Sequence, residues 1–290
     1  MNVRNIHPIR KLLVPSDFSS ESANALLYAV SLAQKVGCRV TVYHAVHFPL
    51  VDPHGIATAM SQSDLEELAR KRLMAFVEEV MASTGFRQIE TAIGTGFAVD
   101  AIADFAKQQE VDLVVMGTHG AEGISAILGT NTAELMEKCG CPILSVPAAV
   151  RFSDPRRILF ATDFADNDFQ SIYLLSQYFK VFRTEIVVAH VQHQGDRKVE
   201  KGLMEWFKNQ VQKNIPYDKI SFELIEGPSV HSALNEFIEK SNYDLVVTSM
   251  RRRNFFDRLT GSSLTKKLVN HSSVPMLVFH AYTHSGTPVF

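Results

Sequence analysis

Residues 117–132 read GTHGAEGISAILGTNT, with glycine at 117, 120, 123 and 129 and side-chain donors at Thr130, Asn131 and Thr132. Glycine lets a backbone turn through positive φ and come close to a bound group. The apolar, β-branched run 111–116 precedes the stretch, and the helix-forming run 133–138 follows it. Strand, glycine loop and helix start, in that order, suit a phosphate. The N–H groups of a first helical turn point at the anion, and the helix dipole adds to the attraction. An unliganded strand-to-helix loop has the same local sequence, so the loop alone leaves both readings open.

Asp17 closes a second short apolar run, residues 11–15. A lone carboxylate at a strand end accepts from a sugar hydroxyl or caps the next turn. General-base or Mg²⁺ chemistry needs further groups, and none stands beside it in sequence. His44, His47, His54 and His119 show neither an HExxH spacing nor paired cysteines, so they read as structural and no metal site is expected. A Gly-x-x-x-x-Gly-Lys-Ser/Thr loop and a Gly-x-Ser-x-Gly elbow are both missing. No lysine or arginine lies between residues 117 and 137 to meet a developing phosphoryl charge, so no catalytic residue is assigned. Cys38, Cys139 and Cys141 are too few, and odd in number, for a disulfide framework. Cys139-Gly140-Cys141 reads as small buried residues at a helix-to-strand junction. Met204, Trp206 and Phe207 read as helix core.

These groups need a scaffold that brings residue 17 near residue 117. After the strand at 11–15, Ser19 or Ser20 can cap a helix with Glu21 in its first turn, and Gly37 ends it. Residues 39–46 form a second strand, 63–83 a helix, and 89–93 a third strand. Val99, Ile102, Ala103 and Ala106 mark another helix. Strands at 111–116 and 142–146 follow. Alternation of strand and helix means βαβ units and a mainly parallel sheet. With 290 residues, 46% hydrophobic and 21% charged, the chain can build the cores of about two domains. A net charge of −2 argues against coating nucleic acid. The first residues lack the apolar core of a signal peptide, and no run approaches the ~20 residues of a membrane span. A cytoplasmic protein with no membrane or nucleic-acid partner is expected.

The pattern then repeats. Residues 158–164, ILFATDF, follow 12–18, LLVPSDF, at an offset of 146, and His190 follows His44 at the same offset. Residues 244–247 and Gly261-Ser262 repeat 112–115 and Gly129-Thr130 at an offset of 132. The longer loop after the second strand of the first half accounts for the difference. Two α/β domains of one ancestry are implied, at 1–149 and 150–282, joined near 148–155, with a tail at 283–290.

Asp17 after the first strand, Gly117-x-x-Gly120 after the fourth and Gly129-Thr130 at the last helix resemble the universal stress protein family. The duplication resembles its tandem members, and the likeness runs from about residue 9 to residue 279. It implies two Rossmann-like domains, each a five-stranded parallel sheet of order 3-2-1-4-5 flanked by helices. The ligand would sit beyond the strand ends where the order reverses. Carried over by motif, Pro15, Ser16 and Asp17 match adenine and ribose contacts, and Ala45 an apolar wall of the base pocket. Met116, Gly117, His119 and Gly120 match the ribose and phosphate side. Gly129, Thr130, Asn131 and Thr132 match the triphosphate cradle. The implied cofactor is ATP or AMP, with Mg²⁺ as its optional companion.

One departure concerns loop length. Residues 121–128 number eight, where ATP-binding members place nine. The second half departs further. Thr162, Asp163, Gly261 and Ser262 remain, but Ser249 and Arg252 replace both early glycines, so a degenerate site is expected there. The resemblance implies a stress-response, nucleotide-binding sensor or interaction protein with an unidentified protein partner. The two domains would pack as an intrachain pseudo-dimer through their fifth strands, with homodimerisation left open. An interaction protein without nucleotide and a slow ATP-hydrolysing enzyme are the alternatives.

Overall fold

The computed structural model describes residues 9–47, 61–118, 134–136, 138–192, 197–250 and 274–280. His119, Gly120, Gly129, Thr130, Asn131 and Thr132 of the expected cradle lie outside the described residues. So do Arg252, Gly261, Ser262 and the tail at 283–290. The chain divides into two compact units, one covering residues 9–152 and the other built on residues from 153 onward.

The first unit contains β1 (Lys11–Pro15), α1 (Ser20–Val36), β2 (Arg39–Val46), α2 (Gln62–Thr84), β3 (Ile89–Thr95), α3 (Ala98–Gln108), β4 (Leu113–Thr118) and β5 (Ile143–Pro147). Its strands run parallel in the order β3-β2-β1-β4-β5. The second unit contains β6 (Arg157–Ala161), α4 (Asp166–Tyr178), β7 (Glu185–Gln192), α5 (Arg197–Asn214), β8 (Ile220–Glu226), α6 (Val230–Ser241), β9 (Leu245–Met250) and β10 (Met276–His280). Its order, β8-β7-β6-β9-β10, is the same topology. Both units are therefore parallel, as the alternating pattern predicts, and five-stranded and Rossmann-like, as the family resemblance implies.

Local chemistry sets the helix limits. Ser19 caps α1 by accepting from Ser22 N, and Gly37 closes it at φ 75°. Ser61 and Asp64 form a reciprocal capping box on α2, and Gly85 ends it at φ 70°. Leu12, Leu13 and Val14 of β1 are fully buried, as are Leu113, Val114 and Val115 of β4. Central parallel strands covered on both faces read as continuous apolar runs for this reason.

Two expectations need correction. The fourth strand does not stop at Met116: β4 carries on through Gly117 and Thr118. Met204 and Phe207 are buried on α5, but Trp206 is 50% exposed. Successive helical residues differ by about 100° in direction, so residues 206 and 207 do not share one inward face. Trp206 meets Phe169 edge-on, with centroids 5.9 Å apart.

The two units fill one position of the sheet in opposite ways. A Cβ built on Gly94 of β3 would lie 1.9 Å from the Tyr43 hydroxyl. Tyr43 is buried and stacks on Phe105 of α3, with centroids 4.5 Å apart. In the repeat, Ala189 and Ile225 hold these places, so the bulk has moved from the second strand to the third. Volume-conserving exchange of this kind keeps a core filled. Gly94→Ala is expected to cost about 1–3 kcal/mol through overpacking. Thermal unfolding should show it, and Tyr43→Phe in the same chain should recover part of the loss. Equal melting of Gly94→Ala and the parent would contradict the crowding.

Candidate functional site

The order reverses between β1 and β4, and a crevice is expected there at the carboxyl ends of the strands. In the first unit the β1–β4 ladder ends at Leu13↔Val114. Extending it requires an N–H at residue 15, which proline lacks. In the second unit Ala161 takes that place, and the β6–β9 ladder continues to Ala161↔Thr248. The central ladder of the first unit is thus two hydrogen-bonded rungs shorter than that of the second.

Beyond β1 the chain makes a tight turn. Phe18 has φ 66°, and its counterpart Phe164 has φ 60°. Bulky residues rarely adopt this conformation, and it persists only where surroundings fix it. The fixing contacts are the same in both units. Phe18 packs on His44 at 4.4 Å between centroids, and Phe164 on His190 at 4.2 Å. His44 Nδ1 lies 2.8 Å from Ser16 O, and His190 Nδ1 lies 2.8 Å from Thr162 O. A carbonyl only accepts, so each Nδ1 carries the proton. Arg72 sits 4.2 Å above the Phe18 ring in a cation–π contact. His44 and His190 are thus fixed to backbone oxygens. Among the described residues no group of three or more His, Cys, Asp or Glu is placed to hold a metal.

Asp17 stands exposed on the first turn. Its Oδ1 accepts from Ser19 N at 3.0 Å and from Ser19 Oγ at 2.5 Å. Burial works against its ionisation, but the bonds from Ser19 and Ser22 outweigh that and hold the carboxyl below the usual carboxylate range. Ser16 is buried; its Oγ accepts from Phe18 N at 3.1 Å and lies 3.1 Å from Ser22 Oγ. Pro15, Ala45, Met116 and Gly117 are half-buried at the ends of β1, β2 and β4. The topology thus gathers Pro15, Ser16 and Asp17 at the same end of the sheet as Met116 and Gly117.

Gly117 has a role the sequence does not announce. A Cβ there would lie 2.5 Å from Glu21 O and 2.7 Å from Glu21 C. The space left by the missing side chain is taken by the first turn of α1. A close approach of helix to strand is thus by itself a reason for glycine at this position.

The second unit differs at three linked positions. Thr162 replaces Ser16, Asp168 replaces Ser22, and Ser249 replaces Gly117. Asp168 lies in the first turn of α4 and is only 1% exposed. Its Oδ2 accepts from Thr162 Oγ at 2.6 Å and from Ala165 N at 3.1 Å. Ser249 Oγ donates to its Oδ1. Burial pushes the Asp168 carboxyl up to about 6, against the lowering effect of the Ser249 and Thr162 bonds, and nearby Asp163 adds to the rise. This cluster ties the ends of β6 and β9 to the helix start. Of its members, the sequence reading places Thr162 and Ser249 at the site and misses Asp168. The signal available was its offset of 146 from Ser22, with an acid in the first turn of a helix.

A family model described as the universal stress protein family matches residues 8–147 and again residues 155–280. The chain belongs to the universal stress protein family. A universal stress protein of Methanocaldococcus jannaschii is 29% identical over 141 residues, which cover 47% of this chain and 81% of that protein. One from Thermus aquaticus is also 29% identical over 141 residues, covering 47% of this chain and 98% of its own. Such relatives match about half of the present chain. The crystal structure of a universal stress protein from Archaeoglobus fulgidus superimposes with a TM-score of 0.72 at 20% identity, covering 94% of this chain and 98% of that one. This likeness extends the universal stress protein fold over both units.

Proposed function

We propose that this cytoplasmic universal stress protein binds one adenine nucleotide, ATP or AMP, in its first domain and acts as a nucleotide-responsive interaction module. The reading is supported by the asymmetry of the two switch points. The first ends its central ladder early and presents an ionised Asp17. The second continues the ladder and fills its strand ends with the Asp168 cluster. An ionised carboxylate only accepts, so Asp17 suits ribose hydroxyl donors. Pro15, Ser16, Ala45 and Met116 would border the base and ribose. Gly117 would act indirectly, by letting α1 bring the Asp17 turn close. His119, Gly120, Gly129, Thr130, Asn131 and Thr132 are assigned to the ribose and phosphates by resemblance, with Mg²⁺ as the counterion.

Calorimetric titration of nucleotide-free protein with ATP and with AMP tests the proposal. One site per chain is expected, and Asp17→Ala should weaken it by about 1–3 kcal/mol, the range for a lost charged hydrogen bond. Two sites per chain, or an affinity indifferent to Asp17→Ala, would overturn it. Turnover separates this reading from an enzyme. With no cation between residues 117 and 137, hydrolysis should fall far below the ~1–100 s⁻¹ of kinases. A radiolabelled ATP assay with Mg²⁺ that gave turnover near that range, lost in Asp17→Ala, would favour an ATP-hydrolysing enzyme.

A further inference from the structure

At the other end of the first sheet, where β5 begins, Cys139 and Cys141 lie with their sulfurs 3.3 Å apart. Both side chains are buried, and only Gly140 separates them. Gly140 is exposed, and a Cβ built on it meets nothing within 4 Å, so the connection between the thiols has room to change its torsions. Each flank is anchored. Cys139 N donates to Leu135 O at 2.7 Å, and Pro142 O accepts from Val114 N at 3.0 Å. The ~2.05 Å bond of a disulfide is thus a little more than an ångström of sulfur movement away.

We propose that Cys139 and Cys141 form a reversible dithiol–disulfide pair that exchanges with low-molecular-weight disulfides of the glutathione class. Cys139 is the attacking thiol. Of the two ways the sulfurs can share their hydrogen bond, Cys141 as donor favours the Cys139 thiolate over the opposing effect of burial, and the N–H groups of Cys141 and Gly140 add to this. Cys141, as the donor, is held in its protonated form. In the first step the Cys139 thiolate attacks one sulfur of the small disulfide. A mixed disulfide forms, and one small thiolate leaves and takes up a proton. Cys141 then gives up its proton and its sulfur attacks that of Cys139, releasing the second small thiol. Two protein thiols are oxidised and one small disulfide is reduced to two thiols. A bridge across a single residue closes a small, strained ring, and strained disulfides are the readily reduced ones. Reversibility by small thiols follows. Cys38 supplies an internal control: it is buried like the pair, but burial with Asp112 nearby pushes its thiol up to about 12, so its thiolate is scarce at neutral pH.

The test uses the full, reduced chain incubated with oxidised glutathione at neutral pH, quenched in acid, denatured and alkylated. Alkylatable thiols should fall from three per chain to one, with Cys38 alkylated and a Cys139–Cys141 link found in the peptide spectrum. Dithiothreitol should restore all three. Cys38→Ser should lose both of its remaining thiols, and Cys141→Ser should accumulate glutathione on Cys139. Retention of three free thiols would overturn the proposal. So would a glutathione adduct without loss of a second thiol, or modification of Cys38 at the same rate as the pair. None of these outcomes depends on nucleotide binding.

Discussion

Replacing Asp168 by asparagine is expected to flatten the pH dependence of the second domain's stability between about pH 4 and about pH 6. The carboxyl titrates at 3.8 when free and at about 6 in the folded chain. Between those values the folded state holds a proton that the unfolded state gives up. Stability from this group is therefore complete below the lower value and is lost as pH rises through the upper one. At about 1.4 kcal/mol per pH unit the loss is on the order of 3 kcal/mol. Asparagine keeps an oxygen to accept from Thr162 and Ala165 and offers an N–H to Ser249, without a charge to bury. The variant should therefore gain on the parent as pH rises through that window. Urea unfolding followed by Trp206, the single tryptophan, reads the domain concerned. Parent and variant curves that stay parallel across the window would remove Asp168 from this role.

Gly117→Ala is expected to destabilise the first domain by about 1–3 kcal/mol, the usual cost of overpacking. The added methyl meets the Glu21 carbonyl group at 2.5–2.7 Å, and that contact is main chain, so no side-chain rotation relieves it. The first turn of α1 has to shift, and the Asp17–Ser19 turn leads directly into it. Amide hydrogen exchange should accelerate in α1 of the variant, and nucleotide affinity should fall with it. Binding lost without any change in α1 exchange would instead mean that Gly117 faces the ligand.

Much of this is legible in the sequence because it is local or repeated. The alternation of strand and helix gives the parallel sheet and the two offsets of 146 and 132 give the duplication, while the strand order is what the family resemblance implies. Ser19 and Gly37 mark the ends of α1 through capping chemistry that spans a few residues. What sequence reading misses depends on contacts between distant segments. Glu21 and Gly117 meet only after the β1–β4 crossover is made, so the packing reason for glycine at 117 cannot be read from its neighbours in sequence. Asp168 and Ser249 lie 81 residues apart, and neither suggests the other. Trp206 differs again: its apolar type implies burial, but the helical angle turns it outward.

The histidine–phenylalanine clasp beyond β1 and β6 bears on how such a duplicated chain can change. Both copies hold an aromatic residue at positive φ against a ring that bonds the backbone, while the neighbouring positions have diverged. The strained turn thus belongs to the scaffold and not to the cargo. One copy can carry a serine in place of the strand-end glycine, and an acid in place of the helix-start serine, without dismantling the corner on which the sheet is hung. Duplication thus lets one half end its central ladder early at a proline while its twin ties its strand ends with a buried, proton-sensitive acid.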